Sequence, residues 1–216
     1  MTIDTAYMIT AFVTMLVVID PIAIVPIFLA LTPGMDTKQR ARIALRAVLV
    51  AGLLLALFAF FGKAVLGFIG ISMPAFRVAG GILLFLTAMD MLFERRTKRR
   101  EDSSDPDHGL PHDDHNDPSV FPMAIPLIAG PGAIASVILL VGQKPGGEGL
   151  VSILAITAVI LLVMYIFLRL SSVLESAMGK VAINVTTRVL GMLLAALSVQ
   201  FVLDGLAEFG FVTALG

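Results

Sequence analysis

The sequence predicts an all-α integral membrane protein of six transmembrane helices, arranged as two inverted three-helix repeats with broken first and fourth helices. Three observations predict it. Of 216 residues, 58% are apolar and only 14% charged, against about 25% charged in soluble domains, and the mean hydropathy is +0.97. The apolar residues gather into six runs near the roughly 20 residues that a spanning helix needs, at about 7–31, 44–69, 74–93, 120–141, 150–170 and 186–207. Two proline-bearing stretches interrupt the first and fourth runs at matching places: Ile19-Asp20-Pro21-Ile22-Ala23-Ile24-Val25-Pro26 and Ala129-Gly130-Pro131-Gly132-Ala133-Ile134-Ala135-Ser136 align on Pro21 and Pro131, 110 residues apart, and agree at Ala23/Ala133 and Ile24/Ile134.

In the first run, Pro21 and Pro26 each remove a helical hydrogen bond and crowd the carbonyl four residues earlier, as Pro126 and Pro131 do in the fourth. Backbone groups freed in hydrocarbon are costly unless protein, solute or water satisfies them. Interrupted hydrophobic segments at corresponding places in two halves point to a transporter's central site; a plain proline kink that holds nothing is the alternative, and the matched pair favours the site. The candidate substrate-binding residues are therefore Asp20, Pro21, Ala23 and Pro26 in the first stretch and Gly130, Pro131, Gly132 and Ala133 in the second. Asp20 stands near mid-helix beside the break, where a carboxylate serves as an ion ligand, a proton carrier or an ammonium partner. The residues ahead of the first run carry no basic region and the run is too long for a cleaved signal, so this helix is expected to stay in the membrane.

Basic residues orient the later runs. Lys38, Arg40, Arg42 and Arg46 lie at the first connection, Arg95, Arg96, Lys98, Arg99 and Arg100 open the central one, and Arg169, Lys180 and Arg188 flank the fifth; only Lys63, Arg77 and Lys144 lie toward the other side. Both termini are thus expected outside. With three helices per half, the second copy must be inverted. The third and sixth runs support the repeat, since Phe76-Arg77-Val78-Ala79-Gly80 resembles Thr187-Arg188-Val189-Leu190-Gly191 at an offset of 111. Arg77 and Arg188 read either as interfacial anchors that snorkel to headgroups or as members of a structural or gating ion pair, with Asp20 the obvious counter-charge. Gly80, Gly81 and Gly191 supply close helix packing.

Three segments follow: a first repeat at 1–93, a linker at 94–119 and a second repeat at 120–216. The linker is cytoplasmic by the charge bias and has almost nothing apolar to bury, so disorder is expected. All three histidines, His108, His112 and His115, lie there among carboxylates. That composition binds divalent metal or simply forms a solvated tether; no fixed ligand spacing is visible.

Enzyme chemistry is poorly served. There is no cysteine, no histidine in the membrane runs, and no G-x-S-x-G, H-E-x-x-H or phosphate-binding glycine loop. No cofactor is expected, and no nucleic-acid signature appears. The oligomeric state is not readable. Two glycines around a proline let the backbone approach a small solute, with amides of the next half-helix facing a carboxylate. A zwitterionic amino acid suits the two breaks: carboxylate toward Gly130-Pro131-Gly132, ammonium toward freed carbonyls or Asp20. Ser136, Thr87, Ser198 and Gln200 are further hydrogen-bonding candidates, though such residues commonly bond to their own helix. The rival readings are a divalent-metal exporter that collects ions on its histidine loop, and a scaffold or regulatory membrane protein without flux.

The stretches Ile19-Asp20-Pro21 to Pro26-Ile27-Phe28, Phe68 to Gly81, Pro126-Leu127-Ile128-Ala129-Gly130-Pro131-Gly132-Ala133-Ile134, and Arg188-Val189-Leu190-Gly191 leading to Gln200-Phe201-Val202-Leu203-Asp204-Gly205 resemble the MarC/SnatA (NAAT, UPF0056) family of bacterial and archaeal inner-membrane proteins. The resemblance covers nearly the whole chain outside the histidine loop. It implies an inverted-repeat fold with discontinuous first and fourth helices, and for some members transport of small neutral amino acids such as glycine and alanine, with proton coupling or export. Ala23 and Ile24 stand where the commoner family form, Asp-Pro-x-Gly-Asn-x-Pro, has Gly and Asn.

Overall fold

The computed structural model describes residues 5–93, 117–144 and 146–210, and the side chains of all of these except 175–180. Among the described residues there is no strand. The helical segments are α1 (Thr5–Ile19), α2 (Pro21–Leu31), α3 (Thr37–Ile69), α4 (Met73–Leu92), α5 (Ser119–Ile128), α6 (Pro131–Gln143), α7 (Gly147–Arg169) and α8 (Ser171–Glu208). As membrane spans they make six. The α1–α2 pair runs 27 residues as one span, α5 and α6 form a pair bent by 53°, and α3, α4, α7 and Val181–Glu208 of α8 are each long and apolar enough alone. The first and fourth spans are the interrupted ones, as the prolines imply.

Two helices begin earlier than the apolar runs do. Asp36 closes a capping box at the start of α3: its Oδ1 accepts from Gln39 N at 2.7 Å, and Gln39 Oε1 accepts from Asp36 N at 3.1 Å. From that cap the helix propagates through Lys38, Arg40 and Arg42, good helix formers all, for 33 residues. At 1.5 Å per residue this is about 50 Å, against roughly 30 Å of hydrocarbon, so the basic first turns stand at the membrane surface. The Arg40 guanidinium donates to Thr32 O at 3.0 Å and ties the start of α3 to the end of α2. The second case is α8, expected near 186 but beginning at Ser171. No proline interrupts Ser171 to Val185, so the helix grows back to the turn at Leu170, and Arg188 lies well inside it rather than at its start.

Inside a bilayer, burial of apolar surface gives little drive for helix association, and close packing of small residues takes over. The α4–α8 crossing is built this way. A Cβ on Gly81 would fall 2.8 Å from Ser198 O, one on Gly205 3.0 Å from Pro74 O, and one on Gly191 3.3 Å from Ala88 O. Low numbers on α4 meet high numbers on α8, so the two helices are antiparallel. Gly62 of α3 and Gly80 of α4 give the same close approach to Ile138 and Leu139, which wedges α6 between α3 and α4.

The broken first span is the centre of the bundle. Its most apolar window is 61% buried, against 28–39% for the windows of α3, α4, α7 and α8. Beside it, α6 is buried from Ala135 to Leu140. Met15, Ile19, Ile24, Phe28, Leu139, Leu140 and Ile153 are among the largest fully enclosed side chains. The outer helices turn large apolar side chains outward, with Leu45, Leu49, Leu53, Leu57, Phe60 and Phe61 exposed along one stripe of α3, as a lipid-facing surface requires.

Candidate functional site

The first break is one residue wide. The last regular bond of α1 runs from Asp20 N to Leu16 O at 2.9 Å, after which Asp20 turns left-handed, with φ 50° and ψ 69°. Asp and Asn tolerate that region best among side-chain-bearing residues. Pro21 then opens α2, where a missing N–H costs nothing, and Asp20 Oδ1 accepts from Ala23 N at 3.3 Å. Asp20 is wholly buried. Its carboxylate thus acts first as the N-cap of α2, with Pro21 buried and Ala23 and Pro26 half-buried along that helix.

The second break is longer. In α5 the bonds reach five residues back, from Met123 N to Pro118 O at 3.2 Å and from Ala129 N to Ala124 O at 2.9 Å, and Phe121 and Ile125 adopt extended backbone ahead of Pro122 and Pro126. The chain reaches Gly130 extended, and α6 begins at Pro131 with no side-chain cap. Space dictates Gly130: a Cβ there would lie 2.5 Å from Pro126 O. The amides of Gly132 and Ala133, both buried, precede the first helical bond of α6, from Ile134 N to Gly130 O at 3.0 Å. They form the bare positive end of a 13-residue helix.

These two breaks come together. A Cβ on Gly132 would stand 3.4 Å from Val18 Cγ1, 3.5 Å from Leu84 Cδ2 and 3.6 Å from Thr87 Oγ1, so the start of α6 lies against the last turn of α1, two residues before Asp20, and against the middle of α4. On the other flank, Pro126 and Pro131 face an apolar cavity of about 430 Å3 between α3 and α4, which Phe58, Gly62, Phe76 and Ile125 also line.

The arginines separate. Arg77 is buried and pairs through Nη1 with Glu208 Oε1 at the end of α8; the partner the structure gives it is Glu208, where the sequence pointed to Asp20. Glu208 lies just beyond the last apolar run, and only the antiparallel α4–α8 crossing brings it beside the first turn of α4. Arg188 is exposed on α8. Most polar candidates serve their own helices: Thr87 Oγ1 donates to Leu83 O at 2.9 Å, Ser198 Oγ to Ala195 O at 2.7 Å, and Gln200 Nε2 to Asp204 Oδ1 at 2.6 Å. Ser136 is the exception, fully buried with no hydrogen-bond partner among the described residues.

His108, His112 and His115 lie outside the described residues. Within those, no group of three His, Cys, Asp or Glu side chains could hold a metal ion. Just before α5, Arg46 Nη1 lies 2.6 Å from Asp117 Oδ2, and Ser119 N donates to Asp117 Oδ1 at 3.0 Å. Burial pushes the Asp117 carboxyl up, but the bonds from Ser119 and the Arg46 guanidinium together outweigh it and hold the group below its usual 3.8.

The family described as "MarC family integral membrane protein" matches residues 5–209. The chain is 38% identical over 202 residues to a UPF0056 membrane protein of Methanocaldococcus jannaschii, covering 93% of this chain and 86% of that one. It is 35% identical over 208 residues to the UPF0056 membrane protein YvbG of Bacillus subtilis, covering 93% and 94%. To the UPF0056 inner membrane protein YhgN of Escherichia coli K12 it is 33% identical over 203 residues, covering 92% and 95%. No solved structure matches. The chain belongs to the MarC family of integral membrane proteins.

Proposed function

We propose that this MarC-family protein is a secondary transporter of a small neutral amino acid, glycine- or alanine-like, working by alternating access around the two breaks. The observation that carries this reading is the contact of Gly132 with Val18 and Thr87, which joins a bare helix N-terminus to the turn that bears a buried carboxylate. A substrate carboxylate sits at the Gly132 and Ala133 amides, where the helix end favours negative charge. The ammonium is taken by Asp20 or by carbonyls at the end of α1. Gly130 and Pro131 hold the backbone open at that point, while Pro21, Ala23 and Pro26 shape the opposite wall. Asp20 is also the residue for proton coupling.

The same reading makes residues 1–93 and 120–216 inverted halves, joined by a cytoplasmic linker at 94–119, with both termini outside the bacterial or archaeal inner membrane. The recurrence of the proline stretches and of the Arg77 and Arg188 motifs at offsets of 110 and 111 supports it. Arg77, paired with Glu208, then acts as a strut between the halves, and Arg188 is its counterpart in the second.

The test is flux of labelled glycine and alanine in proteoliposomes under an imposed pH gradient. Gly132→Val fills the junction of the breaks and is expected to reduce flux at least tenfold while the protein stays monodisperse. Asp20→Asn is expected to transport without responding to the gradient. Normal flux in Gly132→Val removes the central site from the account, and unchanged gradient dependence in Asp20→Asn removes the coupling role.

A further inference from the structure

The seam between α1 and α6 holds two hydroxyls that the reading above leaves unused. These helices run antiparallel. Tyr7 of α1 donates its hydroxyl to Leu140 O of α6 at 2.9 Å, while Val18, eleven residues on, lies beside Gly132. On α1, Tyr7, Ala11, Thr14 and Val18 follow one another at spacings of four, three and four and share a stripe; on α6, Gly132, Ser136 and Leu140 share another at spacings of four. The two ends of each stripe touch across the seam, and Thr14 and Ser136 stand between those ends, one on each helix. Both are 0% exposed, and neither hydroxyl has a hydrogen-bond partner among the described residues.

Serine and threonine within a helix ordinarily bond to a carbonyl one turn back, as Thr32, Thr87 and Ser198 do here. Thr14 and Ser136 do not, and the apolar side chains of the seam give them no partner in return. From these facts, we infer that the α1–α6 seam is a closed half-channel. It opens from the side on which Tyr7 and Lys144 lie, and Thr14 and Ser136 line it for a small, hydrogen-bonding solute on its way to the breaks. In the closed form the outer end is latched by the Tyr7–Leu140 bond, with the Lys144 ammonium 5.8 Å above the Tyr7 ring; half-buried Thr10 continues the polar stripe between latch and hydroxyls. When α1 and α6 part, water and solute reach Thr14 and Ser136, and the open form regains the hydrogen bonds that the closed form lacks. The inference rests on the transporter reading for its purpose, and on the seam's geometry for its place.

The chain has no cysteine, so Thr14→Cys and Ser136→Cys are single reporters without background. Each is reconstituted in liposomes and treated with a charged, membrane-impermeant thiosulfonate, with Leu53→Cys on the outward stripe of α3, 73% exposed, as the lipid-facing control. Both reporters are expected to label at least tenfold faster than Leu53→Cys, and Tyr7→Phe is expected to raise their rates a further threefold by removing the latch. Ser136→Cys is nearly isosteric and carries the test if Thr14→Cys does not purify monodisperse. Labelling no faster than the control overturns the half-channel, whatever the flux. Labelling at the expected rates supports it, and flux of labelled alanine in the same vesicles then decides separately on the transporter reading: a seam that labels without flux leaves the channel standing and removes its proposed use.

Discussion

The two interrupted spans break in opposite ways. At the first, one residue does everything: Asp20 turns left-handed and its own side chain fills the N-terminus of α2, so α1 and α2 still read as one 27-residue span. At the second, the coil loosens over ten residues of α5, bends by 53° and delivers a helix whose first residue is capped by no side chain. One break is closed on itself and carries a carboxyl group. The other is open and carries only backbone. In the proposed transport reading the difference divides the roles: a bare helix end suits an incoming carboxylate, whereas the start of α2 is already served by Asp20 and has less to offer an anion.

The comparison breaks most readily at Gly130. If the second bend depends on backbone-to-backbone approach, Gly130→Ala must push its Cβ against Pro126 O, 2.5 Å away, and a carbonyl cannot rotate aside as a side chain can. The expected loss is about 2–3 kcal/mol, in the range of overpacked cores, read as a lower melting temperature in detergent and as slower flux. A variant as stable as the wild type would mean that the bend is loose, and the contrast with the tight Asp20 turn would fall away.

How far these features were legible depends on what kind of interaction made them. The six spans and both breaks were legible because apolar runs and Pro/Gly punctuation act locally: Pro21 and Pro131 mark the starts of α2 and α6 in the sequence itself. The ends of α3 and α8 were less so. Helix propagation passes through Lys38, Arg40 and Arg42 and through Ser171 to Val185, and a hydropathy run ends before the helix does. The partner of Arg77 was not legible at all. Pairing with Glu208 follows from the antiparallel α4–α8 crossing, a long-range fact, while the sequence offered Asp20 because it was the membrane-zone carboxylate near mid-helix and beside a break. Thr14 was overlooked for a related reason, since a threonine in an apolar run looks ordinary until the opposite helix proves to give it no partner.

The first break is sharpened by separating its two jobs. Asp20→Ala loses the cap, worth about 1 kcal/mol, and places a residue with no polar side chain in the left-handed region, for about 1 kcal/mol more. Asp20→Asn keeps both the cap and the turn. A loss of roughly 2 kcal/mol for alanine and under about 0.5 kcal/mol for asparagine, by the same additions, is therefore expected in thermal unfolding. Equal losses would show that the charge, rather than the cap, stabilises the turn.

The smallest effect concerns how the open break is held from outside. Asp117, pinned by Arg46 of α3 and by Ser119 N, anchors the start of α5; the first span carries its own cap at the break instead. Because the folded carboxyl lies below its usual 3.8, its contribution is fully present above that value and is lost only as pH falls through the lower folded one. The side chains are 59% and 36% exposed, so water and salt screen the pair and it is worth less than about 1 kcal/mol. Comparing the melting of wild type and Asp117→Asn, the gap is expected to hold from pH 7 to about pH 5, to begin closing only below about pH 4, and to shrink in high salt. A gap that persists at the acid end would mean that Asp117 acts through its bonds to the α5 backbone rather than through its charge, and the anchor of the open break would then be as local as the cap of the closed one.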